Sequence, residues 1–519
     1  MLRNRIRTLV FLVTLVGLLA PGWVAAQASP VQGGSLRVAI TGDPPTLDPH
    51  TSTAVIVLEI TSHVAEGLYA RDGEGAVRPM LAEALPEVSD DGLTYTIRLR
   101  QGVTFHDGQV LDADDVVASL ERWRRIGSGK NTLGKAESIV AVDASTVRIQ
   151  LTEPVGILTS VLGWTEGAAV IYPATLVASA GDDPIDAPIG TGPYRLKEWV
   201  KGQRVVLERF DGYVGRTEEP SGDFGRKNAW LDEIQFIAVP DAATRQAGLE
   251  SGEFDVNYRA AASDLEYIES SDAMYPWLMR PGYNYIALIN HRSETMQDPK
   301  LRQALQAALD IYPLVLGAFG NDAVFSLSSS IVPQEYGAMY DGTAGAELYD
   351  QGDLERAKAL LAESNYDGRP IRWLTSRDYD YQYRGTLIAV DQVSQAGVDS
   401  EIIVRDWATT VSIRSDPSAW DIFIGNFTIA PEPEMIPYVN PNYLNGYEGS
   451  ARYQELRAQL AATTDVAERQ RIWSEAQAAF YEDVGAIQMA NTFLLNAYAS
   501  DVHVEARYFL FQAWNTWKD

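Results

Sequence analysis

The residues with the most reactive side chains in this sequence are scattered. Its five histidines, His50, His63, His106, His291 and His503, include no pair at the spacing with which a helix presents two zinc ligands. Cysteine is absent, which excludes thiolate metal sites, a cysteine nucleophile and disulfides. Gly127-Ser128-Gly129-Lys130 has the look of a phosphate loop. However, Arg124 stands where its upstream glycine must be, and Asn131 where a Ser or Thr must hold magnesium. Gly190-Thr191-Gly192 runs into Pro193 and lacks the third glycine of a dinucleotide turn. No Gly-x-Ser-x-Gly elbow occurs. Glu432 and Glu434 form the kind of carboxylate pair a glycosidase uses, but a chain with 70 acidic residues supplies such pairs by abundance. The expectation is a protein with no catalytic residue, no metal and no cofactor.

What remains is recognition chemistry. An arginine presents a planar fork that makes two parallel bonds to a carboxylate, although most arginines are simply solvated. Asp378-Tyr379-Asp380-Tyr381-Gln382-Tyr383 falls where a predicted strand passes into a predicted helix. Loops after strand C-termini are where α/β lobes place ligand contacts, so Tyr381 could stack on a ligand and donate a hydrogen bond. A solvated loop is the alternative for these tyrosines. Trp407 reads equally as ligand stacking and as packing.

These residues need elements to hold them. Ser35–Ile40 reads as a strand ended by Gly42-Asp43-Pro44-Pro45, and Leu93, Tyr95, Ile97 and Leu99 alternate with polar residues as in a half-buried strand. Asp112 is placed to cap a helix with Asp114 and Asp115 in its first turn and Val116, Leu120 and Trp123 on its apolar side. Asp298-Pro299 and Asp353 announce two more helices. Ile371–Leu374, Arg384–Ala396 and Glu401–Val404 read as strand, helix and strand, with Gly397 ending the helix. Such mixed units predict α/β lobes, and without a long linker the chain must cross between lobes several times.

Composition sets the compartment. Arg3, Arg5 and Arg7 precede an apolar run from Leu9 to Ala20, and small residues follow with cleavage expected after Ala26 or Ala28. That run is shorter than a membrane span, and none like it occurs later. Three of the 42 basic residues and none of the 70 acidic ones lie in this leader, so 39 bases face 70 acids beyond it, a balance of −31. Such a charge repels phosphate backbones and argues against nucleic-acid binding. The expectation is an exported, soluble, periplasmic protein with its signal peptide removed, not inserted in the membrane, and monomeric.

Several stretches in collinear order resemble the extracytoplasmic solute-binding family 5 that serves oligopeptide, dipeptide and nickel importers. They are Gly33–Ile40 with Thr46-Leu47-Asp48-Pro49, Ser89–Tyr95, Phe105-His106-Asp107-Gly108, Ala113–Val117, Gly190–Tyr194, Leu231–Ile234, Ser251–Asp255, Asp298–Leu305, Arg405–Thr409 and Trp420–Phe423. The resemblance implies an α/β, type II-like periplasmic-binding clamshell: two hinged lobes, an extra inserted domain and mixed sheets. It implies a signal peptide over 1–28, domain I over 29–76, 190–275 and 495–519, domain II over 77–189, and domain III over 276–494. It also implies a solute-binding component of an ABC importer that captures a peptide or similarly sized polar solute and passes it to an inner-membrane permease. A secreted hydrolase of peptides or glycans, or a ligand-sensing or chaperone protein on the same fold, are the alternatives.

In the family's peptide binders an extended segment pairs with the ligand main chain, as an added strand would. Here that segment corresponds to Gly425–Ile429, with Asn426, Phe427 and Thr428 as contacts. Phe427 takes a slot usually held by Trp, with core packing as its other reading. The family's amine-binding Asp falls on Ala430, and Glu432, two residues on, is the candidate substitute; a loop carboxylate is its alternative. Arg414 and Arg384 match positions that hold ligand carboxylates.

Overall fold

The computed structural model describes residues 29–167, 169–504 and 510–519, so the leader reading lies outside the described residues. The N-terminal strand β1 (Ser35–Ile40) forms where apolar and polar residues alternate, and it buries Leu36, Val38 and Ile40. The half-buried strand reading also holds at Thr94–Arg98, where Tyr95 and Ile97 point into a core and their neighbours do not. It belongs to a four-stranded antiparallel sheet with Glu87–Val88, Thr146–Leu151 and Ala136–Asp143. Against this sheet packs α1 (Ala113–Ile126). Asp112 caps it, accepting from the amides of Asp114 (3.0 Å) and Asp115 (3.2 Å), while the Asp115 carboxylate accepts from the Asp112 amide at 3.0 Å. This reciprocal capping box satisfies donors that the first helical turn leaves free. Leu68, Ile97, Trp123 and Ile149 share one core here.

A second core joins β1 to β2 (Tyr194–Val200), β3 (Arg204–Arg209), β4 (Glu233–Ala238) and β5 (Val256–Asn257). The far part of the molecule hangs on two long strands, β6 (Met274–Ile289) and, near the C-terminus, β10 (Ala486–Ala499). Between them in sequence come β7 (Ile371–Ser376), α2 (Asp380–Gln395), β8 (Ser400–Arg405), α3 (Trp407–Ile413) and β9 (Ile422–Phe427). The large sheet is continuous in the order β8-β7-β9-β6-β10-β5-β1-β4-β3-β2. Its left half is mixed: β7 pairs with β8 and β9 in parallel, β9 with β6 antiparallel.

The antiparallel pair β6–β10 therefore spans both halves. Met274–Met279 pairs with Leu494–Ala499 beside β5, and Tyr283–Leu288 pairs with Ala486–Thr492 beside β9. Between Met279 and Tyr283 the ladder shifts register. A two-strand crossing with a local break is compliant compared with the packed cores on either side. The halves meet again at a seam, where Met435 packs against the cores of both and Trp164 packs against the far one. The Gly156 amide donates to the Ala461 carbonyl across this seam at 3.0 Å.

Candidate functional site

The βαβ unit puts a row of aromatic rings where β7 and β8 end. The reading that Arg384 opens the helix needs correction: α2 starts four residues earlier, at Asp380, which places an acid in the first turn where the helix dipole favours it. Tyr381 is thereby a helix residue rather than a loop one. Its ring stacks on Phe319 (5.2 Å, 11°) and meets Tyr285 edge-on, and burial pushes its phenol pKa up. Tyr379 lies 5.8 Å from Tyr381 and 4.9 Å from Trp407, ring centre to ring centre. Trp407 is the first residue of α3. It is held by a bond from its amide to the Asp378 carboxylate at 2.7 Å, while Asp406 caps the helix.

Arg414, at the other end of α3, seats its guanidinium over Trp407 (5.3 Å) and Phe423 (4.7 Å). Cation–π contact stabilises such a cation without neutralising it. Burial lowers its pKa from the ordinary arginine value, its Nε has no hydrogen-bond partner, and no carboxylate lies in ion-pair range among the described residues. In a chain this acidic, a half-buried arginine left without an acid is poised for one from outside.

Beside this row runs β9. Its ladder with β7 ends at Phe423, so beyond it Gly425–Phe427 pair with β6 on one side and, among the described residues, with no strand on the side that faced β7. Gly425 lets the Phe423 ring and the Gln382 amide approach; a Cβ there would lie 2.8 Å from the ring and 3.3 Å from Nε2. Thr428 is exposed, and Asn426 is half-buried with its Oδ1 accepting from Thr492 at 3.4 Å. A free edge of extended backbone is the surface to which another strand can be added.

Three further expected residues have other partners. Arg384 is exposed on α2 and pairs with Asp380 one turn back at 3.4 Å. Phe427 is buried in the far core, edge-on to Tyr438 and Phe423. Glu432 lies in a bend before a short 3-10 turn but is not solvated: it is buried, accepts from Ser160 Oγ at 2.5 Å, and pairs with Arg469 at 2.9 Å. The same Arg469 nitrogen holds Glu434 at 2.9 Å, and burial pushes the Glu434 pKa up. Ser160 in turn accepts from Arg71, so the network crosses the seam. A crevice of about 490 Å³ opens on the same seam, lined in part by Trp164, Val161, Glu434, Met435 and Asn440. Among the described residues no cluster of His, Asp and Glu could hold a metal ion.

Arg259 is a residue the sequence reading did not mark. It sits beside the crossing strands with a left-handed backbone (φ 54°) and packs its guanidinium on Tyr258.

Residues 76–449 match the sequence profile described as bacterial extracellular solute-binding proteins, family 5 middle region. The chain is 28% identical over 498 residues to the probable peptide ABC transporter periplasmic-binding protein y4tO of Sinorhizobium fredii, covering 92% of both chains. It is 28% identical over 500 residues to the glutathione-binding protein GsiB of Salmonella typhimurium, covering 90% of both. Among solved structures it is similar to the ABC transporter substrate-binding protein CtaP of Listeria monocytogenes (TM-score 0.80, 23% identity, 94% and 99% covered). It is also similar to the periplasmic binding protein DppA of Helicobacter pylori in complex with the peptide STSA (TM-score 0.74, 20% identity, 94% and 99% covered).

Proposed function

The chain belongs to the bacterial extracellular solute-binding proteins of family 5, and from that premise we infer that it captures a peptide or similarly sized polar solute for an ABC importer. One observation carries the choice of solute: an acid-free arginine, Arg414, stands at the end of an aromatic row beside an unpaired strand edge. The edge suits a ligand main chain, the rings suit its flat or apolar parts, and the guanidinium suits a carboxylate. The names of the relatives, peptide-binding and glutathione-binding, agree with such a solute.

In this reading Tyr381, Trp407, Arg414, Asn426 and Thr428 face the solute, Phe427 backs the wall, and Arg384 stands at its rim. Glu432 acts on closure: Ser160 and Arg71 reach its buried carboxylate only when the halves are together. The spans 29–76, 190–275 and 495–519, then 77–189, then 276–494 act as the three bodies, swinging about the β6–β10 crossing. Closure buries the solute and strengthens each polar contact on it, and the permease distinguishes the loaded form because the solute shifts the open–closed balance. The protein works as a periplasmic monomer and releases its solute chemically unchanged.

The test is native mass spectrometry of the protein freshly isolated from periplasm. A retained small molecule of peptide size that leaves with its mass unaltered is the expected result. A product of altered mass, or a protein that neither retains nor is thermally stabilised by any member of a di- and tripeptide library, overturns the reading. Arg414→Gln should weaken binding of the retained molecule by about 100-fold, whereas Arg209→Gln, at an ion pair with Asp211 and Asp232 in the other half, should not.

A further inference from the structure

Arg259 lies two residues beyond β5, at the opposite half of the molecule from Arg414, and its surroundings are built around it. Its backbone holds φ 54°, a region that side chains with a Cβ seldom adopt. The Asn496 side chain fixes this geometry by accepting from the Arg259 amide at 2.9 Å, and the Arg259 carbonyl accepts from Arg245 at 3.3 Å. Strained backbone held by dedicated partners is a mark of a functional position. Among the described residues the side chain makes one hydrogen bond. Nε donates to Tyr258 Oη at 2.6 Å, and the guanidinium lies 5.2 Å from that ring.

Nη2 is buried with no partner, and no carboxylate stands within ion-pair range of Arg259 among the described residues. The nearest acid, Glu59, is itself buried. Its desolvation raises its pKa to about 7, and it is reached by the Tyr258 phenol and the Phe511 amide (3.3 Å) rather than by a direct bond from Arg259. The electrostatic neighbours of Arg259 also include Tyr283, at the crossing of the two halves, and Tyr381, on α2 of the far half. Tyr381 is the first ring of the row that runs through Tyr379 to Trp407 and Arg414.

We propose that Arg259 receives a second anionic group of the solute, at the opposite end of the aromatic row from Arg414. The captured molecule then carries two separated acid groups, each met by an arginine that makes no direct ion pair among the described residues. This inference rests on the solute-binding reading above and narrows it to ligands with two separate anionic groups. The absence of an ion pair at both arginines suits that role, since either one, if paired internally, would be lost to the solute.

The probes are S-methylglutathione, which has two carboxylates, and its two mono-amides, titrated calorimetrically into the mature chain. The wild type should prefer the diacid over both mono-amides by about tenfold or more. Arg259→Gln should bind the diacid no better than one mono-amide, and Arg414→Gln no better than the other. Arg259→Lys, which keeps the charge, should retain part of the preference, and matched melting temperatures guard against misfolding. If Arg259→Gln keeps both preferences, or both variants lose the same one, the proposal is overturned.

Should the wild type bind none of the three, crystals soaked in sodium bromide decide. An anomalous peak beside Arg259 keeps the anion site and removes only the peptide class, whereas no peak there removes the site.

Discussion

At the scale of single residues, the most constrained group is Arg469. It is buried, and one of its nitrogens serves both Glu432 and Glu434 while the other donates to the Leu460 (2.6 Å) and Thr463 (3.2 Å) carbonyls. Two carboxylates on one guanidinium leave an excess negative charge, which Arg71 approaches through Ser160. Removing the shared cation strands both acids in a dry place. Arg469→Leu should therefore lower the unfolding free energy by roughly 3–5 kcal/mol. Glu434→Gln removes one of two like charges competing for one partner and should change it by less than about 1 kcal/mol. Urea unfolding midpoints separate the two, and equal losses would show that the network is not centred on Arg469. Little of this was legible in the sequence. Glu432 stands out there as a carboxylate near the expected amine site, but its partners lie 37 residues ahead and 272 behind. Nothing local encodes a pairing across such distances. Arg414 was legible only through the resemblance, which sets it at a carboxylate-binding position; nothing in its local sequence separates it from the other arginines. Arg259 was not, since its isolation and its backbone angle exist only after folding.

At the scale of elements, helix starts read well where a cap and its partners are adjacent in sequence. Asp112, Asp298 and Asp353 each cap the helix predicted for them. The start of α2 was missed because Tyr379, its N-cap position, supplies no side-chain cap, so the sequence carries no signal there. The crossing strands β6 and β10 carry no clean alternation, and Pro276 and Pro281 interrupt β6, a pattern that argues against a long strand. They form because each is paired by several neighbours at once. The seam between the halves is a further non-local feature with a local weakness. Gly156 approaches the Thr463 carbonyl and the Arg469 guanidinium so closely that an added Cβ would overlap backbone. Its own loop and the Ala461–Thr463 segment must therefore separate if the residue grows. Gly156→Ala should open the molecule: solution X-ray scattering should report a larger radius of gyration, and solute affinity should drop about tenfold. An unchanged radius with an unchanged affinity would place Gly156 outside the closing motion.

For the whole molecule, the imbalance of 42 bases against 70 acids decides how it greets other macromolecules, while buried groups decide how it answers pH. Burial lowers His50 and His63 from 6.5 to about 4, and His291 likewise. These histidines are neutral when folded and take up protons on unfolding throughout the window from 6.5 down to 4, so stability present above pH 6.5 is lost as pH falls through it. Glu59 acts in the opposite sense. Its pKa is raised from 4.5 to about 7 by burial, so its contribution is full below 4.5 and fades as pH rises toward 7. These four groups taken alone give a net uptake of roughly two protons on unfolding near pH 5.5, a slope of about 2–3 kcal/mol per pH unit; His106, lowered by burial, adds to it, and Asp115, Asp223 and Glu434, raised by burial, work against it. Asp255 adds to the acid loss at lower pH: burial works against its charge, but Arg37 and Lys518 together hold its pKa below the ordinary value. The melting temperature should accordingly fall steeply between pH 6.5 and 4. Glu59→Gln should steepen that acid limb, because it removes the group that opposes the histidines there, while raising stability at pH 8, where the wild type must keep a buried carboxylate charged. The same substitution tests the neighbourhood of Arg259, because Glu59 is its nearest acid. If solute affinity at pH 8 is unchanged in Glu59→Gln, then Arg259 holds its solute charge without help from that carboxylate. If affinity rises, Glu59 has been competing for the same cation.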